Sequence, residues 1–160
     1  MVKKNACVFI SGAGTNLKAL LKSSREYNYP INIKLIISSN KKAKGLSFAK
    51  IYKIPYFILN LNNQLNLTLS LNKLKENNIS LICLAGYMKV LKKKFIEKYN
   101  GKIINIHPSL LPKYKGLDTF KRVLESKEKI TGCTVHHVNS KIDSGKIILK
   151  KKIYIKENDN

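Results

Sequence analysis

An amide and an imidazole lie two residues apart near the middle of the chain, at Asn105 and His107. They follow the apolar, β-branched pair Ile103-Ile104, which predicts the end of a buried strand. Residues two apart on a strand point to the same face, and Pro108 then ends the strand. The amide can donate to a developing oxyanion, and the imidazole can exchange a proton near neutral pH. Spacing alone leaves a second interpretation open, in which both side chains only satisfy loop carbonyls in the core.

The whole stretch from 105 to 116 carries more information than this pair, because it reads NIHPSLLPKYKG. It resembles the signature of the 10-formyltetrahydrofolate-dependent formyltransferases. Members of that family formylate glycinamide ribonucleotide or methionyl-tRNA, and one member is a formyltetrahydrofolate deformylase. The resemblance implies that Asn105 and His107 are catalytic, together with an aspartate further along the chain.

That aspartate is Asp143. Its position before Ser144-Gly145 is typical of a turn. The stretch from 142 to 148, IDSGKII, also resembles the family pattern that contains the third catalytic residue, and the resemblance implies this role for Asp143. Many glycinamide ribonucleotide enzymes have Gly-Gly-Pro after the aspartate, whereas this chain has Ser144-Gly145-Lys146. The effect of that difference on the folate loop is left open.

A glycine-rich turn, SGAGTN at 11–16, follows a predicted strand at Asn5–Ile10 and precedes a predicted helix at Leu17–Glu26. Exposed backbone N–H groups at a helix N-terminus favour an anion. The turn lacks the Gly-Lys-[Ser/Thr] of a Walker loop, and Leu17 occupies a glycine position of the dinucleotide fingerprint. A plain tight turn is an equal alternative on the glycines alone.

The extended string SGAGTNL resembles the glycinamide ribonucleotide enzymes within the family. The resemblance implies that three residues bind the substrate phosphate, namely Gly14, Thr15 and Asn16.

A second family-like segment, GYMKVL at 86–91, follows a predicted strand at Ser80–Ala85. By itself it fits a loop with apolar anchors. It resembles the family stretch that lines the folate pocket, and arginine often stands where this chain has Lys89. The implied folate-binding residues are Met88, Lys89, Val90, Leu91 and Asn105.

The rest of the chain predicts alternating strands and helices. We expect strands at Ile33–Ser38, Pro55–Leu59, Ile130–Val138 and Ile147–Ile155, and helices at Ala43–Ile51, Lys92–Asn100 and Leu117–Ser126, with Asp118 in the first turn of the last helix. Alternating leucines within Asn60–Asn78 favour a strand, but helical leucine spacing and the need for a crossover favour a helix, which we predict. The fold class is α/β, a Rossmann-like formyltransferase fold with a mainly parallel twisted sheet and helices on both faces. The last two strands can pair antiparallel at one edge.

The bulk properties limit the remaining choices. A chain of 160 residues predicts one domain over 1–160, and the resemblance implies that it is a formyltransferase domain. The resemblance implies that the helical C-terminal tail of the family, and the tRNA domain of the methionyl-tRNA enzymes, are lacking. No apolar run approaches the roughly 20 residues of a membrane span, so we expect a cytoplasmic protein. Cys7, Cys83 and Cys133 are far apart and predict small buried strand residues rather than a disulfide or zinc site.

The formal net charge of +22 comes almost entirely from lysine. One interpretation is an anionic partner such as tRNA; the other is a compositional bias spread over solvated faces. The second is favoured because the lysines are scattered and arginine occurs only at Arg25 and Arg122. We expect small-molecule substrates, no nucleic acid and a monomer or homodimer. His136-His137 predicts no metal site, since adjacent strand residues point apart.

The activity that the resemblance implies is transfer of a formyl group from 10-formyltetrahydrofolate, as co-substrate, to the amine of glycinamide ribonucleotide in de novo purine biosynthesis. A methionyl-tRNA formyltransferase-like catalytic domain is one alternative, opposed by the SGAGTN loop. A non-catalytic folate- or nucleotide-binding remnant is the other, motivated by the short chain.

Overall fold

The computed structural model describes residues 2–59, 63–156 and 159. Within these ranges seven strands and five helices follow one another along the chain. They are β1 (Lys4–Ile10), α1 (Thr15–Ser24), β2 (Ile31–Ser38), α2 (Leu46–Ile51), β3 (Tyr56–Ile58), α3 (Gln64–Glu76), β4 (Leu81–Leu84), α4 (Lys93–Lys98), β5 (Lys102–His107), α5 (Thr119–Glu125), β6 (Ile130–His137) and β7 (Ile147–Tyr154). The strands make up a mostly parallel sheet with helices, which confirms the predicted fold class. The chain divides into two compact units, Met1–Ile103 and Ile104–Asn160.

The first unit contains strands in the order β3-β2-β1-β4, all parallel. The five consecutive residues Ala6–Ile10 of β1 are buried, as expected for a parallel strand that is covered on both faces. The connection from β1 to β2 and the connection from β2 to β3 each place the next strand one position closer to the β3 edge of the sheet. The connection from β3 to β4 crosses back over β2 and β1 to the other side of β1. Right-handed crossovers therefore put α1 and α2 on one face and α3 on the other.

Aromatic side chains hold α4 in the first unit. Phe95 is fully buried; its ring lies 6.0 Å from that of Phe9 and 6.3 Å from that of Tyr99. The Tyr99 hydroxyl donates to the Ile79 carbonyl at 3.1 Å. This short helix of six residues depends on these contacts, because an isolated helix of that length is unstable in water.

The ambiguous leucine-rich stretch is helical, as predicted, and its described part is α3; the calls on residues 60–62 lie outside the described residues. The Asn63 side chain caps the helix by accepting from the Leu65 N–H at 2.8 Å. Leu67, Ser70 and Leu74 are buried at helical spacing, whereas Leu65 is 75% exposed. The alternation of leucines resembles a strand pattern only in the sequence. In the structure some of these leucines, such as Leu65, face solvent and others face the core.

The second unit contains β5 from Ile104 onwards, β6 and β7, which pair antiparallel in sequence order. The predicted antiparallel edge is therefore confirmed, and it also includes β5. Asn105 lies opposite His136, and His107 lies opposite Thr134. All eight side chains of β7 are exposed.

Three local expectations differ from the structure. Asp118 is not in the first turn of a helix: it precedes α5 with a left-handed φ of 52° and makes no capping hydrogen bond with its side chain. The second helix begins at Leu46 rather than Ala43, because the Ala43 N–H instead closes a turn on the Asn40 carbonyl. Cys133 is half-buried, whereas Cys7 and Cys83 are buried; all three are free thiols.

Across the described ranges, no helix has both the length and the apolar character needed to cross a membrane. Within the same ranges, no group of three or more His, Cys, Asp or Glu side chains is arranged to hold a metal ion.

Replacing Phe95 with alanine should destabilise the protein by about 3–5 kcal/mol, because it removes a fully buried aromatic side chain and leaves a cavity. The matched control is Phe120→Ala, since Phe120 is 66% exposed. The control should change the free energy of unfolding by less than about 0.5 kcal/mol. Urea denaturation followed by circular dichroism measures both, and equal effects would contradict the packing described here.

Candidate active site

Strand β5 brings its amide and imidazole to one carboxylate. Nδ1 of His107 lies 3.3 Å from Oδ2 of Asp143, and Nδ2 of Asn105 lies 3.5 Å from Oδ1 of the same residue. The two strand residues share a face because they are two apart. The structure thus brings together all three residues for which the sequence predicts a catalytic role.

A tight turn after β6 holds Asp143. The Asn139 side chain accepts from the Lys141 N–H and the Ser144 hydroxyl, each at 2.9 Å. A Cβ at Gly145 would lie 1.7 Å from the His137 carbonyl oxygen, so only glycine lets the turn approach β6 this closely. Asp143 itself has a left-handed φ of 44°, a conformation that aspartate tolerates better than most residues.

The Asp143 carboxylate has partners at both oxygens. The Gly116 N–H donates to Oδ2 at 2.8 Å, and Nε2 of His136 lies 3.5 Å from Oδ1. Burial acts to raise the pKa of Asp143. The hydrogen bond with His136, the Gly116 N–H and the nearby imidazoles outweigh it and lower that pKa below its ordinary value. The carboxylate is therefore ionised at neutral pH.

His107 faces an acceptor at each ring nitrogen. Nε2 lies 2.8 Å from the Tyr114 carbonyl oxygen, which can only accept, and Nδ1 faces the Asp143 carboxylate. Both ring nitrogens of this almost fully buried imidazole therefore have an acceptor nearby.

The loop after β5 is fixed through Tyr114, which supplies that carbonyl. Its hydroxyl donates to Glu128 at 3.0 Å, and the Arg122 guanidinium lies 5.6 Å from the centre of its ring. Arg122 also donates to the Lys115 carbonyl at 2.6 Å. These contacts hold in place the backbone oxygen that His107 needs.

His136 is a fourth polar residue of this cluster and is only 2% exposed. Its Nδ1 lies 2.8 Å from the His137 carbonyl, and its Nε2 lies 3.2 Å from Nδ2 of Asn105. A hydrogen bond with Asp143 raises the pKa of His136; burial opposes this, and the His137 carbonyl and the Asp143 charge add to it. The neutral ring accepts from the Asn105 amide, and the charged ring donates to Asp143.

The glycine-rich turn lies in the first unit and leads into α1. Gly14 has a left-handed φ of 79°, and α1 begins at Thr15. Thr15 and Asn16 are exposed, and the first N–H groups of a helix have no partner within it. The turn and the ten-residue helix thus present donors suited to an anion.

The segment 86–91 also lies in the first unit, outside regular secondary structure. Met88, Lys89 and Val90 are exposed, at 64% for Met88 and 65% for Val90. Leu91 is only 5% exposed and packs into the core. The segment therefore offers two apolar side chains at the surface, and Leu91 acts as an anchor beneath them. Asn105, the fifth predicted folate-binding residue, belongs to the second unit.

Sequence reasoning did not identify several groups around these residues. The Gly116 N–H and the Tyr114 carbonyl are backbone groups, so their partners depend on the loop conformation and not on residue type. The contact between His136 and Asp143 is not predicted from the sequence. The strand pairing opposite Asn105 is the signal that could have indicated it.

Removing the Asp143 charge should lower the pKa of His136, because the carboxylate stabilises the imidazolium. NMR titration of the His136 ring should give a pKa above about 6.5 in the parent protein and a lower value in Asp143→Asn. By linkage, the stability from this raised pKa is complete below about pH 6.5 and is lost as pH rises through the raised value. Asp118→Asn, at an exposed aspartate, is the control. An unchanged His136 pKa in Asp143→Asn would refute the contact.

The family described as formyl transferase matches residues 4–160 of the chain. A phosphoribosylglycinamide formyltransferase of Haemophilus influenzae is 41% identical over 98% of this chain and 76% of its own length. A human trifunctional purine biosynthetic protein adenosine-3 is 40% identical over 98% of this chain, which spans only 16% of that longer protein.

Solved structures agree with these similarities. The phosphoribosylglycinamide formyltransferase of Anaplasma phagocytophilum superposes with a TM-score of 0.89 at 38% identity, covering 99% of this chain and 76% of that one. The enzyme of the same name from Brucella melitensis gives a TM-score of 0.91 at 34% identity, covering 99% and 83%. On this match of sequence and structure over nearly its whole length, the chain belongs to the formyl transferase family.

Proposed function

We propose that this protein transfers a formyl group from 10-formyltetrahydrofolate to the amine of glycinamide ribonucleotide, a step of de novo purine biosynthesis. The observation that carries the proposal is the cluster of Asn105, His107 and Asp143, in which an amide and an imidazole meet one carboxylate. The names of the relatives at 40% and 41% identity support the choice of substrate and pathway.

The proposed reaction is an acyl transfer without a covalent enzyme intermediate. The amine nitrogen of the ribonucleotide attacks the formyl carbon and forms a carbon–nitrogen bond. The carbonyl oxygen takes up negative charge in the tetrahedral intermediate. The bond from the formyl carbon to N10 of the folate then breaks, N10 receives a proton, and the amine loses one. Tetrahydrofolate and the formylated ribonucleotide leave.

Each residue of the cluster has a role that its contacts support. The Asn105 amide donates to the oxyanion, as oxyanion-hole donors do. His107, held between Asp143 and the Tyr114 carbonyl, stabilises the same charge and can pass a proton. Asp143 orients His107 and relays protons between the amine and N10. The lowered pKa of Asp143 keeps its carboxylate ionised at neutral pH, as the pairing with His107 requires.

The ligand-binding residues are assigned by the same proposal. Gly14, Thr15 and Asn16 bind the phosphate of the ribonucleotide through the N-terminus of α1. The folate binds at Met88, Lys89, Val90 and Asn105, and Leu91 completes this site by supporting the surface from beneath. Under this proposal the partners are small molecules and no metal takes part in the reaction. Residues 1–160 act as a single domain in the cytoplasm, as a monomer or a homodimer.

The direct test is formyl transfer by the purified chain with glycinamide ribonucleotide and 10-formyltetrahydrofolate. Product formation, followed by the absorbance of the released folate, is expected. Transfer to methionyl-tRNA instead would favour the alternative substrate. Binding of both small molecules without transfer would favour the non-catalytic alternative.

Asn105→Ala and Asp143→Ala should each lower kcat at least about 100-fold, the effect of one lost oxyanion donor. Asn100→Ala, at an exposed asparagine, is the matched control and should keep normal turnover. All variants are compared at saturating concentrations of both substrates. Near-normal kcat in either cluster variant would refute the assigned roles.

A further inference from the structure

Ser11 directly follows β1 and is the first residue of the turn that carries Gly14, and its side chain is buried. Its hydroxyl accepts from the Met88 N–H at 2.8 Å and shares a hydrogen bond of 2.7 Å with the Ser39 hydroxyl. Its backbone N–H donates to the Gly86 carbonyl at 3.1 Å. One residue thus contacts the loops that follow β1, β2 and β4.

The contact with the 86–91 segment is local and specific. Ser11 binds the backbone at Gly86 and at Met88, two residues apart, with its own N–H and its side chain. Gly86 has a left-handed φ of 71°, which turns the chain sharply between these contacts and β4. The Met88 methyl group also lies beside Gly12, 3.6 Å from where a Cβ would stand there.

On the side that faces Gly45, the turn is fixed by contacts that do not involve the Ser11 hydroxyl. The Gly45 N–H donates to the Gly12 carbonyl at 3.0 Å, and a Cβ at Gly14 would lie 2.5 Å from the Cα of Gly45. Asn40 donates to the Ser11 carbonyl at 3.3 Å. Loss of the Ser11 hydroxyl therefore leaves the phosphate-binding turn braced but frees the Met88 N–H.

We propose that Ser11 is a positioning residue for the folate, which it serves by fixing the backbone of Met88 and hence the exposed Met88–Val90 surface. It does not contact the reacting atoms. This inference rests on the proposed function, because it needs the 86–91 segment to bind the folate.

Ser11→Ala should raise the KM for 10-formyltetrahydrofolate about tenfold, as expected when a hydrogen bond to a part-buried N–H is lost. The KM for glycinamide ribonucleotide and kcat should stay within about twofold, because the turn and the catalytic residues are unchanged. NMR hydrogen exchange at the Met88 amide should become about tenfold faster, a readout that does not depend on activity.

Ser39→Ala is the matched control, since it removes the other hydroxyl partner of Ser11 and leaves the Met88 bond. It should keep the folate KM and the Met88 exchange rate of the parent. If Ser11→Ala does not fold, Ser11→Cys replaces it; its weakly accepting thiol should give a smaller rise in the folate KM.

An unchanged folate KM in Ser11→Ala, equal rises in both KM values, or unchanged exchange at Met88 would overturn the inference while the proposed function stands. If the parent protein shows no transfer, the proposed function fails by itself. The folate Kd from calorimetry then tests Ser11: a tenfold rise in Ser11→Ala with none in Ser39→Ala supports its role, and equal values refute it.

Discussion

Burial removes the rings of His107 and His136 from water and partly removes the Asn105 amide, and the Asp143 carboxylate compensates for the lost hydration. Its two oxygens face the rings of His107 and His136, the Asn105 amide and the Gly116 N–H. A neutral side chain in place of Asp143 could accept fewer hydrogen bonds from these groups, and some buried donors would then have no partner. The raised pKa of His136, and the direction in which the Asn105 amide points, therefore depend on one negative charge. That charge persists because its neighbours lower the Asp143 pKa more than burial raises it.

The position of this carboxylate depends in turn on backbone contacts too close for side chains. Gly145 lies against the His137 carbonyl, the same oxygen that accepts from Nδ1 of His136. The positions of the turn and of the His136 ring thus both depend on the peptide carbonyl of His137. Gly14 and Gly45 approach each other in the same way in the first unit. In both places a change in backbone shape, and not the loss of a reactive group, would move the residues assigned to chemistry or binding.

Much of the fold followed from the sequence because its signals are local. Buried parallel strands such as β1 are continuous apolar runs, and the face shared by Asn105 and His107 follows from strand geometry. Family resemblance in the sequence indicated Asp143, which spacing alone could describe only as a turn residue. The contacts of Ser11, Gly116 and His136 could not be predicted, since they join segments distant in the chain or use backbone groups. The left-handed backbone of Asp118 likewise depends on its loop and not on its residue type.

The lysines of the exposed strand β7 affect how copies of the chain approach one another in solution. An open strand edge is a template on which further copies of a chain can stack, and β7 carries exposed Ile147, Leu149 and Ile153. Lys150, Lys151 and Lys152 stand between these apolar residues, and because neighbours on a strand alternate, positive charge lies on both faces. Copies that approach edge to edge repel one another over roughly a Debye length, about 8 Å at physiological ionic strength. Colloidal stability should therefore be greatest in dilute salt, where this repulsion reaches furthest.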